Sequence, residues 1–153
     1  MDYPQVPTDY RRFPKEYRAA LFADAPKPTP QQLANIAVLK QYVNPAVKVA
    51  EGNPRNFGVL SEKIDSPQKA NRILNESIRN SYLRWLQSGM PGKFVDFMSD
   101  RWAPIGAEND PENLNPNWRV NVRKNLLKQL GQETYNEWKR MNLVKNPETT
   151  VAV

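Results

Sequence analysis

Neither cysteine nor histidine occurs in this chain. Their absence excludes disulfides, thiolate nucleophiles, imidazole acid–base work and most zinc or transition-metal sites, so any catalysis would rest on carboxylates and no metal or cofactor is expected. With nothing to oxidise, the chain gives no sign of its redox compartment. No apolar run approaches the roughly 20 residues of a membrane span, and the first residues lack the basic-then-apolar pattern of a signal segment. A soluble protein made in the cytoplasm is expected. Glycine-rich phosphate loops, nucleophile elbows and internal repeats are missing as well. No strand-alternating stretch is long enough to build a sheet.

What is present is a mainly α pattern. The 153 residues suit one domain with a real core, while a hydrophobic share of 39% and 14 prolines put part of the length outside it. The net charge of +6 allows weak attraction to nucleic acid, anionic lipid or an acidic partner. The bases are spread along helical patterns (Arg72, Arg79, Arg84; Arg119, Arg123, Lys124, Lys128) with no motif to concentrate them. They read as solvated helix faces.

Residues 1–28 read as a Pro- and aromatic-rich arm with one short helix. Tyr3, Pro4, Tyr10 and Phe13 follow neither helical nor strand period, and aromatics in proline-punctuated extended backbone suit a groove on another subunit. Pro14 opens a helix through Ala23. Residues 29–142 form the expected helical domain. Thr29-Pro30-Gln31-Gln32 is a capping box with proline at the first helical position, starting a helix to about Val43 that buries Leu33, Ile36, Ala37 and Val43. Asn44-Pro45 is expected to interrupt it, and a short helix then brings Glu51 to its end. A carboxylate there faces the negative end of the helix dipole, which raises its pKa and suits a general acid; the alternative is an ordinary exposed glutamate.

Ser66-Pro67 starts the longest amphipathic run, with Ala70, Ile73, Leu74, Ile78, Tyr82, Trp85 and Leu86 on its apolar face, stopped by Ser88-Gly89. Phe94, Val95, Phe97 and Met98 make a compact apolar helix. It leads into the stretch from Asp100 to Asp110, read as a turn-rich elbow in which Trp102 is either a packed anchor or a site residue. Asn115-Pro116 opens a helix carrying Trp118, Val122, Leu126 and Leu130, with Gly131 as its stop, and a last helix runs through Tyr135, Trp138 and Met141. Residues 143–153 read as an extended tail whose end, with Val151 and Val153, suits adding a strand to a neighbour.

With Asn53-Pro54-Arg55-Asn56, Ser66-Pro67, Tyr82, Phe94 and Arg101-Trp102-Ala103-Pro104…Glu108-Asn109-Asp110 in order, residues 45–131 resemble a group of small phage-encoded structural proteins. That group is distantly similar to the lysozyme and transglycosylase superfamily. The resemblance implies a virion protein, synthesised in the host cytoplasm and placed in several copies against other virion proteins in the tail or head-to-tail region. It would bind them through its arms, with Tyr3, Pro4, Tyr10, Phe13, Val151 and Val153 as contacts. The alternative it implies is a virion-associated enzyme that cleaves peptidoglycan. Glu51 would then be the general acid, Asp100, Glu108 or Asp110 the second carboxylate, and Asn56, Trp102 and Asn109 substrate-binding.

Overall fold

A computed structural model describes residues 13–52, 66–105, 112 and 114–145. Among them every regular element is a helix: α1 (Lys15–Phe22), α2 (Pro30–Glu51), α3 (Pro67–Gln87), α4 (Phe94–Trp102) and α5 (Asn115–Arg140). None is long and apolar enough to cross a membrane. The arm residues 1–12, the Asn53–Asn56 turn, the acids Glu108 and Asp110 and the tail from residue 146 lie outside the described residues.

α2 begins as its capping box dictates. The Gln32 amide donates to Thr29 Oγ1 (3.2 Å) and the Thr29 amide to Gln32 Oε1 (2.9 Å), satisfying donors that a helix start leaves open. The helix does not stop at Asn44-Pro45 as expected; it continues through Pro45 to Glu51. Tertiary packing overrides the local break. Val43, Ala46 and Val47 are buried on both sides of the proline, and the Asn44 side-chain amide donates to Asn71 Oδ1 (3.0 Å) and Asn75 Oδ1 (2.8 Å) on α3. The carbonyl that Pro45 cannot serve, four residues back at Gln41, lies on the exposed side. The longer helix also turns its faces: Ile36, Leu39 and Val43 are buried, while Leu33 is half exposed and Ala37 exposed, against expectation.

α3 starts at Ser66, whose hydroxyl accepts from the Lys69 amide (3.2 Å), and ends before Gly89 and Met90, both with positive φ. α4 has no side-chain cap. Its first amides, of Phe94 and Val95, donate instead to the carbonyls of Asn142 (3.0 Å) and Leu143 (3.1 Å). Residues 100–102, expected in the elbow, form the last turn of α4, because Trp102 and its neighbours continue the packed face that Phe97 and Met98 begin. α5 is two helical segments meeting at Gly131, which has φ 78° and ψ 164°, as the sequence predicted. Met141 is exposed; Leu143 and Val144 are buried in its place.

One hydrophobic cluster joins all five helices. α2 lies between α3 and α5, α4 packs on α3 and α5, and α1 lies across α3 and α4. Edge-on aromatic contacts run through it: Trp85 and Tyr82 against Phe94, and Tyr42 against Trp138. Two arginines finish α1 where carbonyls would otherwise be left open. Arg84 Nε donates to the Ala23 carbonyl (2.5 Å) and Arg101 Nη1 to that of Leu21 (3.0 Å), with the Arg101 guanidinium 5.0 Å over the Phe22 ring. Burial, reinforced by the neighbouring Arg101 charge, pushes Arg84 down to about 10, so it stays charged at neutral pH.

Candidate functional site

The C-terminal ends of α2 and α4 meet the first turn of α5. Each contributes one side chain: Glu51, Trp102 and Trp118. Both indole N–H groups donate to the same carboxylate oxygen, Trp102 Nε1 at 2.8 Å and Trp118 Nε1 at 2.7 Å from Glu51 Oε1. The two rings stack with centroids 6.4 Å apart and planes 26° from parallel. Each contact follows from local structure. Gly52, in a left-handed conformation (φ 68°), closes α2 by donating its amide to the Lys48 carbonyl (3.0 Å), which holds Glu51 in the final turn. Asn115 Nδ2 donates to the Pro104 carbonyl (2.7 Å), tying the start of α5 to the chain that leaves α4.

Burial raises the Glu51 pKa, and the two indole hydrogen bonds oppose that rise by favouring the ionised form. Its other oxygen, Oε2, accepts no hydrogen bond from a described residue. The site therefore holds a proton-accepting carboxyl at the N–H edges of two stacked indole rings. Trp102, expected either to anchor an elbow or to bind substrate, has its N–H on Glu51 and one face against Trp118.

Asp100 lies elsewhere. Its Oδ2 accepts from the Tyr17 hydroxyl (2.5 Å) and its Oδ1 from Arg119 Nη2 (2.7 Å). Asp96, one turn earlier, binds Arg123 (3.0 Å), with Arg119 and Lys145 each at 3.5 Å. This network fastens α1 and α5 to α4. Burial raises the Tyr17 hydroxyl pKa, and the bond to Asp100 raises it further; Arg123 is lowered by burial against the pull of Asp96. Arg119 and Arg123 were expected on a solvated face and are instead turned inward, Arg123 being 4% exposed. They share the side of α5 that carries Trp118, Val122 and Leu126, so the same packing that buries those residues buries the guanidinium stems. Lys124 and Lys128 are exposed as expected.

Of the residues singled out from sequence, Glu51 and Trp102 are brought together, Asp100 is held apart by Arg119 and Tyr17, and Phe13 packs edge-on to Tyr17 at 5.4 Å. Asn56, Glu108, Asn109 and Asp110, with Tyr3, Pro4, Tyr10, Val151 and Val153, lie outside the described residues. Sequence reasoning missed Trp118, read only as a core residue on a four-residue stripe. The available signal was its indole N–H, which needs an acceptor once buried. No group of three or more acids among the described residues could hold a metal ion. Compared with protein-family models, with curated proteins and with solved structures, the chain matches none.

Proposed function

We propose that the chain is a structural and assembly protein of a phage particle, in the tail or head-to-tail region, binding neighbouring subunits through its arms. The resemblance of residues 45–131 supplies the setting. The observation that carries the non-catalytic reading is the use of Glu51 as an internal fastener: one oxygen joins α4 and α5 to the end of α2 through both indoles. Asp96 and Asp100 are likewise held in ion pairs with arginines. The test is deletion of residues 1–12 or 146–153. Loss of incorporation into particles, with the helical domain still folded by circular dichroism, supports the reading; unchanged incorporation of both truncations overturns it.

A second reading is favoured by one specific feature, the raised pKa of Glu51 at the N–H edges of two indole rings. In it Glu51 protonates the leaving oxygen of a peptidoglycan glycosidic bond while a water or a second carboxylate attacks the anomeric carbon. Reducing-sugar release from peptidoglycan by the wild-type chain, lost in a folded Glu51→Gln variant, would establish it. A folded wild type without activity would dismiss it.

A further inference from the structure

A groove of about 430 Å³ runs between the last turn of α2 and the middle of α5. Val49, Ala50 and Leu127 form its apolar part, Lys124 and Lys128 stand along its α5 side, and no acid among the described residues lines it. Asn125, in the same wall, donates to the Ala46 carbonyl (3.1 Å) and fixes α5 to α2 there. Val49 is 68% exposed, and Val38, eleven residues earlier on the outward side of α2, is 46% exposed. The two valines stand about three helical turns apart on α2.

No acid among the described residues pairs with the lysines of this face. Arg119 and Arg123 on the inner side of α5 meet Asp96 and Asp100. Lys124 and Lys128 are exposed and form no ion pair with a described residue. Four residues apart, they project about 6 Å from one another along the helix axis. A nucleic-acid backbone would satisfy the two ammonium groups and set phosphates against Val49, Ala50 and Leu127. An acidic amphipathic segment satisfies both halves of the groove, apolar side chains on its floor and carboxylates on its lysines.

We infer that the α2–α5 groove docks an acidic amphipathic segment of a partner protein. This deepens the assembly reading by naming the chemistry of a neighbouring subunit, and it rests on that reading for its biological setting. The binding itself is testable on the isolated chain.

The probe is a fluorescently labelled synthetic helix of alternating leucine and glutamate faces, titrated with the full chain and followed by anisotropy. Saturable binding is expected, weakened about tenfold or more by Lys124→Glu with Lys128→Glu and weakened separately by Val49→Ser, with unchanged helicity and thermal midpoint. A peptide with serine for leucine should bind less well than the original. No binding by the wild type, or equal binding by the lysine variant, overturns the inference. A DNA oligonucleotide that binds more tightly and displaces the peptide overturns it too, assigning the lysines to nucleic acid. Arm truncations that retain peptide binding yet fail to enter particles would uphold both proposals; truncations that enter particles normally would sink the assembly role and leave the groove standing.

Discussion

Alanine at position 51 would remove the one acceptor that two indole N–H groups share. Trp118 is 7% exposed, so its N–H would lose its partner with little access to water, at about 1–3 kcal/mol. Trp102 is half-buried and water can replace part of its bond, which places its loss at the lower end of that range. Against this, removing a carboxylate from the negative end of α2 returns roughly 0.3–1 kcal/mol. The expected net cost of Glu51→Ala at neutral pH is about 2–3 kcal/mol, or a fall of about 5–10 °C in Tm for a domain of this size. Glu51→Gln keeps an oxygen for both donors and removes the charge, so it should remain within about 1 kcal/mol of the wild type.

The pH dependence has a definite sign. The folded pKa of Glu51 is raised, so between the ordinary carboxylate value and the folded value the native state binds more protons than the unfolded one. Glu51 therefore contributes most to stability below the ordinary value, and that contribution is lost as pH rises through the folded value. Urea denaturation followed by circular dichroism from pH 4 to pH 8 measures all three proteins. The wild type should lose stability relative to Glu51→Gln as pH rises. A Glu51→Ala variant that matches the wild type, a Glu51→Gln variant as damaged as alanine, or a wild-type difference that is flat or reversed with pH would refute this role of Glu51.

Three further outcomes are expected. Asp100→Asn leaves Arg119 without its nearest charge partner (2.7 Å) and should cost about 3 kcal/mol, while Tyr17→Phe costs about 1 kcal/mol; because both act at one carboxylate, the double variant should cost less than their sum, and additive denaturation energies would show the network to be uncoupled. Pro45→Ala restores an amide to the Gln41 carbonyl inside α2 and should raise stability by about 1–3 kcal/mol; a lower urea midpoint would mean that the proline ring packs productively. Gly131→Ala meets nothing within 4 Å but forces a side chain onto a backbone with φ 78° and ψ 164°, and should cost about 1–3 kcal/mol; an unchanged Tm would show that the two halves of α5 can merge into one straight helix.

Helix starts were legible because they are local chemistry. Thr29 with Gln32, Ser66 before Pro67 and Pro116 each satisfy or remove a donor within one turn, so no knowledge of the rest of the chain was needed. The same holds for Gly131, whose positive φ few other residues adopt. Pro45 shows where local reasoning stops. Its cost is set by the residue, but whether the helix tolerates it depended on Asn44 finding Asn71 and Asn75 on α3 and on Val43 and Val47 being buried against other helices.

For the site, the sequence by itself determined that neither histidine nor cysteine was available for acid–base work, and that Glu51 would stand at a helix end. Only the tertiary structure decided which partner each acid met. The hydrogen bond between Trp118 and Glu51, 67 residues apart, depends on how α2 crosses α5. The inward turn of Arg119 and Arg123 depends on which face of α5 the core covers. Charge type and helix boundary are properties of a few neighbouring residues, whereas convergence is a property of packing, and packing is set by all five helices together.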